Sequence, residues 1–204
     1  MTFILRLQEI FIGMGLGFLV ALPFFGALFD GTLVNQYQGP LFILSFFAAF
    51  LVMSVRPLAD ITGYDGLKRL VILRKGLGIL SAAIIVGIAL GKIFLPGSTY
   101  LEMLFSPAFF SFAHYAFFAH MGDVAGFILL VTSNTFSQRL LRQNWKRIQH
   151  LSYVYFFAAG IYEAFPLGNG FALFALVLVS ILTILAWQIK AHRREQQTVP
   201  SVAM

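Results

Sequence analysis

Residues 170–189 read GFALFALVLVSILTILAWQI, a run without a single charged side chain. A helix rises about 1.5 Å per residue, so a run of about 20 residues spans the roughly 30 Å hydrocarbon core of a membrane. Backbone groups in lipid must form hydrogen bonds within their own segment, which favours a helix. The run therefore predicts a transmembrane helix over Gly170–Ile189. Five further stretches have the same character, and they are Ile10–Phe29, Pro40–Val55, Gly76–Leu95, His114–Val131 and Ile148–Phe165.

The composition excludes several classes of protein. Hydrophobic residues make up 59% of the chain and charged residues 11%, and the mean hydropathy is +0.86. Such values exclude an ordinary soluble domain and a disordered chain. The absence of cysteine excludes disulfides, thiolate metal sites, iron–sulfur clusters and cysteine nucleophiles. We therefore expect an all-α polytopic membrane protein, a bundle of six transmembrane helices in contact with the lipid bilayer.

The basic residues predict the orientation of the bundle. With six spans, thirteen of the fourteen Lys and Arg residues fall on one side, and Lys92 falls on the other. Loops on the cytoplasmic side carry the excess of Lys and Arg, so both termini are predicted to be cytoplasmic in a multi-pass protein of the cell membrane. This distribution accounts for the net charge of +6 without any nucleic-acid partner. The thirteen are Arg6, Arg56, Lys68, Arg69, Arg74, Lys75, Arg139, Arg142, Lys146, Arg147, Lys190, Arg193 and Arg194.

The domain organisation is predicted to be simple. Residues 1–195 form a single transmembrane domain, and residues 196–204 form a short mobile tail. The first apolar run has about 20 residues, longer than the 7–15 of a signal peptide, so it is expected to be a retained helix.

Polar residues within the predicted spans are candidate functional residues, because charge in lipid is costly. His120 and Asp123 are three residues apart and share one helix face. They could form a proton relay or orient a ligand, or they could be a polar pair that fixes the helix against a neighbour. His114 is interpreted as an interface residue. Lys92 and Glu163 fall at the same ends of two helices, where they could form an ion pair or reach water separately.

Glycine pairs predict close contact between helices. Gly13 and Gly17 form one small-xxx-small pair and Gly87 and Gly91 form another. The same glycines could instead make room for a flat cofactor. The chain contains no Walker A, dinucleotide-binding, nucleophile-elbow or HExxH motif, so it has no flavin or nicotinamide domain of its own.

Two segments on the basic side carry a family resemblance. The first contains RPL at 56–58, TGYD at 62–65 and LRKGLG at 73–78, and the second contains LVTSN at 130–134 and NWKRI at 144–148. Over about residues 54–165, their order and spacing resemble the ferric reductase-like transmembrane domain. The closest likeness is to the haem-binding membrane subunit of the bacterial periplasmic methionine sulfoxide reductase system.

The resemblance implies an oxidoreductase membrane subunit that transfers electrons across a bacterial inner membrane. It also implies a haem b held between core helices by two His ligands, which leave no open position on the iron. Ile88, Gln149 and Tyr162 occupy three positions where the family has His residues. His150 lies one residue later than the second of them, which rotates its side chain by about 100°. Together with His120, it remains a candidate haem ligand, and no other metal site is expected.

Three functions follow as hypotheses, and whether the chain is an enzyme stays open. The first is an electron-transfer subunit of a membrane redox system, with haem bound through His120 or His150. The second is a haem-less structural or assembly subunit that needs a protein partner in a larger membrane complex. The third is a proton-coupled transporter that uses His120 and Asp123, although no inverted repeat is evident.

Overall fold

The computed structural model of the protein consists of helices and the short segments that connect them. It describes residues 2–28, 32–95, 97–111 and 114–198. Helices account for most of these described ranges, and no strand occurs in them. The predicted all-α fold class is therefore confirmed for this part of the chain. Long apolar runs favour helices because their backbone groups can form hydrogen bonds only within the same segment in lipid.

The described residues form ten α-helices, together with a 3₁₀ turn at Pro107–Phe110. The helices are α1 (Thr2–Leu28), α2 (Thr32–Thr62), α3 (Asp65–Leu70), α4 (Leu73–Ile93), α5 (Tyr100–Leu104), α6 (Ala116–Thr132), α7 (Thr135–Leu141), α8 (Gln143–Gln149), α9 (Leu151–Ala164) and α10 (Gly170–Thr198).

Among the described residues, four helical segments are long and apolar enough to cross a membrane, which indicates a membrane protein. They are Thr2–Leu28, Asn35–Thr62, Leu73–Ile93 and Gly170–Arg194. Helices α6 and α9 are shorter, with 17 and 14 residues. At 1.5 Å per residue they measure about 25 Å and 21 Å. Five of the six apolar stretches each correspond to one helix, although α1, α2 and α10 continue well beyond the stretch that predicts them. The stretch Ile148–Phe165 instead covers the end of α8 and all of α9, with His150 between the two helices.

Helix α4 lies at the centre of the bundle. Thirteen of its residues are buried, and its most extensive contact is with α1. Helix α2 packs against α4 and α10, while α6 packs against α4 and α9. The rings of Phe46 in α2 and Phe156 in α9 stack at 5.2 Å between centroids and fill the space between those helices. Outward-facing apolar residues such as Val20 and Phe174 are more than half exposed, as expected for a surface that contacts lipid.

Glycines bring α1 and α4 together, but not all of those predicted. A Cβ added at Gly26 would lie 2.7 Å from the backbone oxygen of Gly91, and one added at Gly87 would lie 2.9 Å from a backbone oxygen of α1. The prediction for Gly87 and Gly91 is confirmed. The prediction for Gly13 and Gly17 is wrong within this chain, because nothing lies within 4 Å of a Cβ at either position.

Helix α10 extends into the predicted C-terminal tail. Helix α10 runs to Thr198, so residues 196–198 are helical, and residues 199–204 of the predicted tail lie outside the described part of the chain. Phe29, the predicted end of the first span, also lies outside it.

Candidate functional site

Helices α2, α4 and α9 meet around a buried cluster of three hydroxyl groups. The Ser81 Oγ donates to the backbone oxygen of Ser45 at 2.8 Å and lies 2.8 Å from the Tyr155 Oη. The Ser45 Oγ donates to the backbone oxygen of Ser81 at 3.0 Å and lies 3.0 Å from the same Tyr155 Oη. All three side chains are buried, and each bonds to the others. The cluster therefore links three helices within the buried interior of the bundle.

The sequence contains no signal for this hydroxyl cluster. Ser and Tyr are common in apolar spans, and nothing in their spacing marks Ser45, Ser81 and Tyr155 as neighbours. Only the rotation of each helix about its own axis brings the hydroxyls together.

Helices α6 and α9 pack against each other in a fixed register. A Cβ added at Gly122 would lie 3.6 Å from the backbone nitrogen of Ala159, and one added at Gly126 would lie 3.1 Å from the ring of Tyr155. The two helices are therefore antiparallel, since an advance of four residues along α6 matches a retreat of four along α9.

This register separates the two candidate haem ligands. Extended by two residues, it places His120 level with residue 161 of α9, whereas His150 immediately precedes α9. Eleven residues of helix lie between those levels, or about 16 Å at 1.5 Å per residue. Two imidazoles that ligate one iron must both reach it, so His120 and His150 do not fit a shared haem.

The surroundings of the two histidines also differ. His120 is half-buried, and its ring lies against Phe110 with centroids 5.4 Å apart. His150 is exposed at the opposite end of α9, where its ring stacks on Tyr153 at 6.3 Å. His114 is exposed before the start of α6.

The three positions where the family has ligand histidines do not face one common space. Ile88 is 2% exposed and packs with Leu22 and Ile84, between α4 and α1. Gln149 lines a cavity at one end of the bundle, and Tyr162 is half-buried near the other. The residues present therefore do not fit a haem held between α4 and α9.

A polar cluster forms near the end of the bundle that contains α5. The Lys92 ammonium lies over the ring of Tyr100, 5.6 Å from its centroid, and it is attracted by the Asp123 carboxylate. Burial raises the pKa of the Tyr100 hydroxyl above its ordinary range, and the charge of Asp123 acts in the same direction. Lys92 and Asp123 each stand out in the sequence as charged residues within predicted spans. The sequence does not show that their helices are neighbours, and no ion pair joins the two side chains within the described ranges.

Glu163 is held by a loop residue. It is 5% exposed, and its carboxylate accepts a hydrogen bond from the Asn169 Nδ2 at 3.1 Å. The backbone nitrogen of Asn169 also donates to the backbone oxygen of Glu163 at 3.0 Å. In the part of the chain that the structure describes, no ion pair joins Lys92 to Glu163. Nor do the residues within those ranges include a group of three or more His, Asp or Glu side chains placed to hold a metal ion.

Comparisons with known proteins give no information about the function of this chain, so a functional proposal depends on its geometry. The chain matches no protein-family model, and neither the curated proteins nor the solved structures include a match to it.

Proposed function

We propose that this chain is a multi-pass protein of the cell membrane with six spans and both termini in the cytoplasm. Helix α6, about 25 Å long, and α9 are the two spans beyond the four long apolar helices. Helices α8 and α9 extend one another, since His150 between them keeps helical dihedral angles (φ −66°, ψ −18°). The gathering of basic side chains at one end of the bundle supports this orientation.

We further propose that the chain is a haem-less structural or assembly subunit of a larger membrane complex, with a helix arrangement like that of ferric reductase-like domains. One observation carries this proposal: packed side chains occupy the middle of the interface between α2, α4 and α9, and the described lining of the cavity at the basic end of these helices contains one imidazole, that of His150, and no second. Phe46 and Phe156 stack in the middle of that interface, and the hydroxyls of Ser45, Ser81 and Tyr155 satisfy one another. A redox complex is the kind of partner that the resemblance favours, in a bacterial inner membrane.

The segments that carry the resemblance have structural roles that need no cofactor. The Trp145 Nε1 donates to the Thr132 oxygen at 3.0 Å and so ties the second segment together. The Arg74 Nε donates to the Val52 oxygen at 2.9 Å and ties α4 to α2. Gly63 has a positive φ of 69°, and its nitrogen bonds to an α2 carbonyl, which ends that helix. These contacts support a role in holding the helices together.

The absorption spectrum of the detergent-extracted chain tests the haem-less proposal. We expect protein from haem-sufficient cells to show no Soret band and no stoichiometric iron, because its histidines do not converge on one iron. A Soret band that disappears in His150→Ala or His120→Ala, but persists in the control His114→Ala, would contradict the proposal. His114 is a matched control because it is exposed and lies before α6.

Isolation of the complex tests the subunit role. We expect the full chain to co-purify with at least one membrane partner at a fixed ratio after mild detergent extraction. A stable, isolated monomer with no partner would contradict the assembly role but leave the absence of haem intact.

A further inference from the structure

A cavity of about 800 Å³ lies at the end of the bundle where α2 ends and α4 begins. Its lining contains five cationic side chains and one carboxylate, which is an excess of four positive charges. The carboxylate is Asp60, whose oxygen lies 2.6 Å from the Lys190 Nζ and 4.0 Å from the Arg56 Nε. The five cations are Arg56, Arg74, Lys75, Lys146 and Lys190.

Two donors on the lining are suited to an anion, one from the cation Arg74 and one from the neutral Gln149. The hydrogen bond from the Arg74 Nε to the Val52 oxygen fixes the guanidinium in the wall at 2.9 Å. The Gln149 Nε2 is buried on the same lining, and no acceptor for it occurs within the described ranges. A buried donor without an acceptor costs free energy, which a bound anion would recover.

The deeper wall of the cavity is apolar. Val52, Met53 and Leu129 are among the side chains that form it. The hydroxyls of Ser81 and Tyr155 also reach the lining, but they are already bonded to each other. The cavity therefore combines a cationic rim with an interior suited to hydrocarbon.

We propose that this cavity binds the phosphate headgroup of an anionic membrane lipid, with part of the acyl chain along the apolar wall. Basic pockets between membrane helices are suited to such headgroups, because the cations neutralise the phosphate. Inorganic phosphate would satisfy the cations but leave the apolar wall unused. The site goes beyond the proposed subunit role and does not depend on it.

The two tryptophans of the chain provide a direct probe, since both Trp145 and Trp187 line this cavity. Trp187 is 71% exposed and would also respond to bulk lipid, so the measurement uses the full chain with Trp187→Phe. Trp145, which its bond to Thr132 holds in place, then reports on the cavity alone. Brominated phosphatidylglycerol and brominated phosphatidylcholine with identical acyl chains are titrated into the detergent-solubilised protein, with inorganic phosphate as a third ligand.

We expect brominated phosphatidylglycerol to quench Trp145 saturably and at lower concentration than brominated phosphatidylcholine. Lys75→Gln and Lys146→Gln each remove one exposed charge from the lining without disturbing the packed core. Each is expected to weaken binding about fivefold, and the double variant about twenty-five-fold, from the usual contribution of a cation to headgroup binding. Arg139→Gln is the matched control, because it removes an exposed charge that lies on α7, outside the cavity lining.

Three outcomes would overturn the proposal. Equal quenching by the two brominated lipids would show that the headgroup charge is not recognised. Competition by inorganic phosphate at the same concentration as the lipid would show a site for free phosphate. An effect of Arg139→Gln as large as that of Lys146→Gln would show diffuse attraction to the basic surface. Circular dichroism of each variant establishes that its helices are intact.

Discussion

At the scale of single residues, the hydroxyl cluster of Ser45, Ser81 and Tyr155 shows how this bundle handles polarity within apolar helices. Each hydroxyl would be costly in lipid without a partner, and each has two partners here. The cluster therefore selects one rotation for each of three helices. Interhelical bonds of this kind contribute modestly to stability but strongly restrict the alternatives.

Removal of one member tests the contribution of the cluster. We expect Tyr155→Phe to lower the free energy of unfolding in detergent by roughly 1 kcal/mol, since Ser45 and Ser81 still bond to each other. Tyr153→Phe is the control, because this neighbouring tyrosine is 38% exposed and lies outside the cluster. Equal losses in the two variants would mean that the hydroxyl cluster adds nothing to stability.

Sequence analysis identified polar residues more readily than it identified their partners. Asp123 and Lys92 stand out because charge is rare in the spans, yet their mutual attraction depends on how α4 and α6 lie side by side. Glu163 is another example, because its partner Asn169 lies just beyond α9 and carries no charge that would mark it. Which side chains become neighbours depends on how the helices pack in the folded bundle, and the hydropathy of the sequence contains little information about that packing.

At the scale of helices, the contact of α1 with α4 depends on glycine backbones. Gly26 and Gly91 let the two helices approach until a Cβ at Gly26 would collide with backbone atoms. Backbone cannot move aside as a flexible side chain does, so the contact tolerates no added methyl group without a shift of a whole helix.

A pair of alanine substitutions in α1 tests this contact. We expect Gly26→Ala to lower the free energy of unfolding by about 1–3 kcal/mol, because it forces α1 away from α4. Gly17→Ala adds the same methyl group where nothing lies within 4 Å, so it is expected to be neutral or slightly stabilising. The measurement is thermal unfolding in detergent, and an equal effect of the two substitutions would contradict the observed contact.

The helices themselves were predictable, but their contact faces were not. Six apolar stretches predict helices because the physical demand for backbone bonding in lipid leaves few alternatives. Gly13 and Gly17 each lie two residues from Gly15, so they point about 200° away from it around the axis of α1. The sequence does not show which of these glycines lies at the contact with α4. The structure buries Gly15 against α4 and leaves the other two exposed.

At the scale of the whole molecule, the cavity at the basic end could not be foreseen. Its lining comes from α2, α4, α6, α9 and α10 and from the short helices α7 and α8, so it exists only after they assemble. The sequence indicates an excess of basic residues on one side. It contains no signal that Arg74, Lys146 and Lys190 surround one space.

The absence of native cysteine makes the proposed orientation directly testable. Glu102 in α5 and Arg139 in α7 are exposed, and the six-span arrangement places them on opposite sides of the membrane. We expect Glu102→Cys to react with a membrane-impermeant maleimide in intact spheroplasts, and Arg139→Cys to react only after permeabilisation. Reaction of both residues from the same side would contradict the six-span arrangement.

Helix α1 leaves the ribosome before its main partner exists. Its described contacts are mostly with α4, which ends at Ile93, 65 residues after the end of α1 at Leu28. At synthesis rates of about 5–20 residues per second, α1 waits in the bilayer for several seconds before it can dock. During that interval the glycine-containing face of α1 is accessible to other helices in the membrane. The order of synthesis therefore allows α1 to pair with a wrong helix until α4 packs against it.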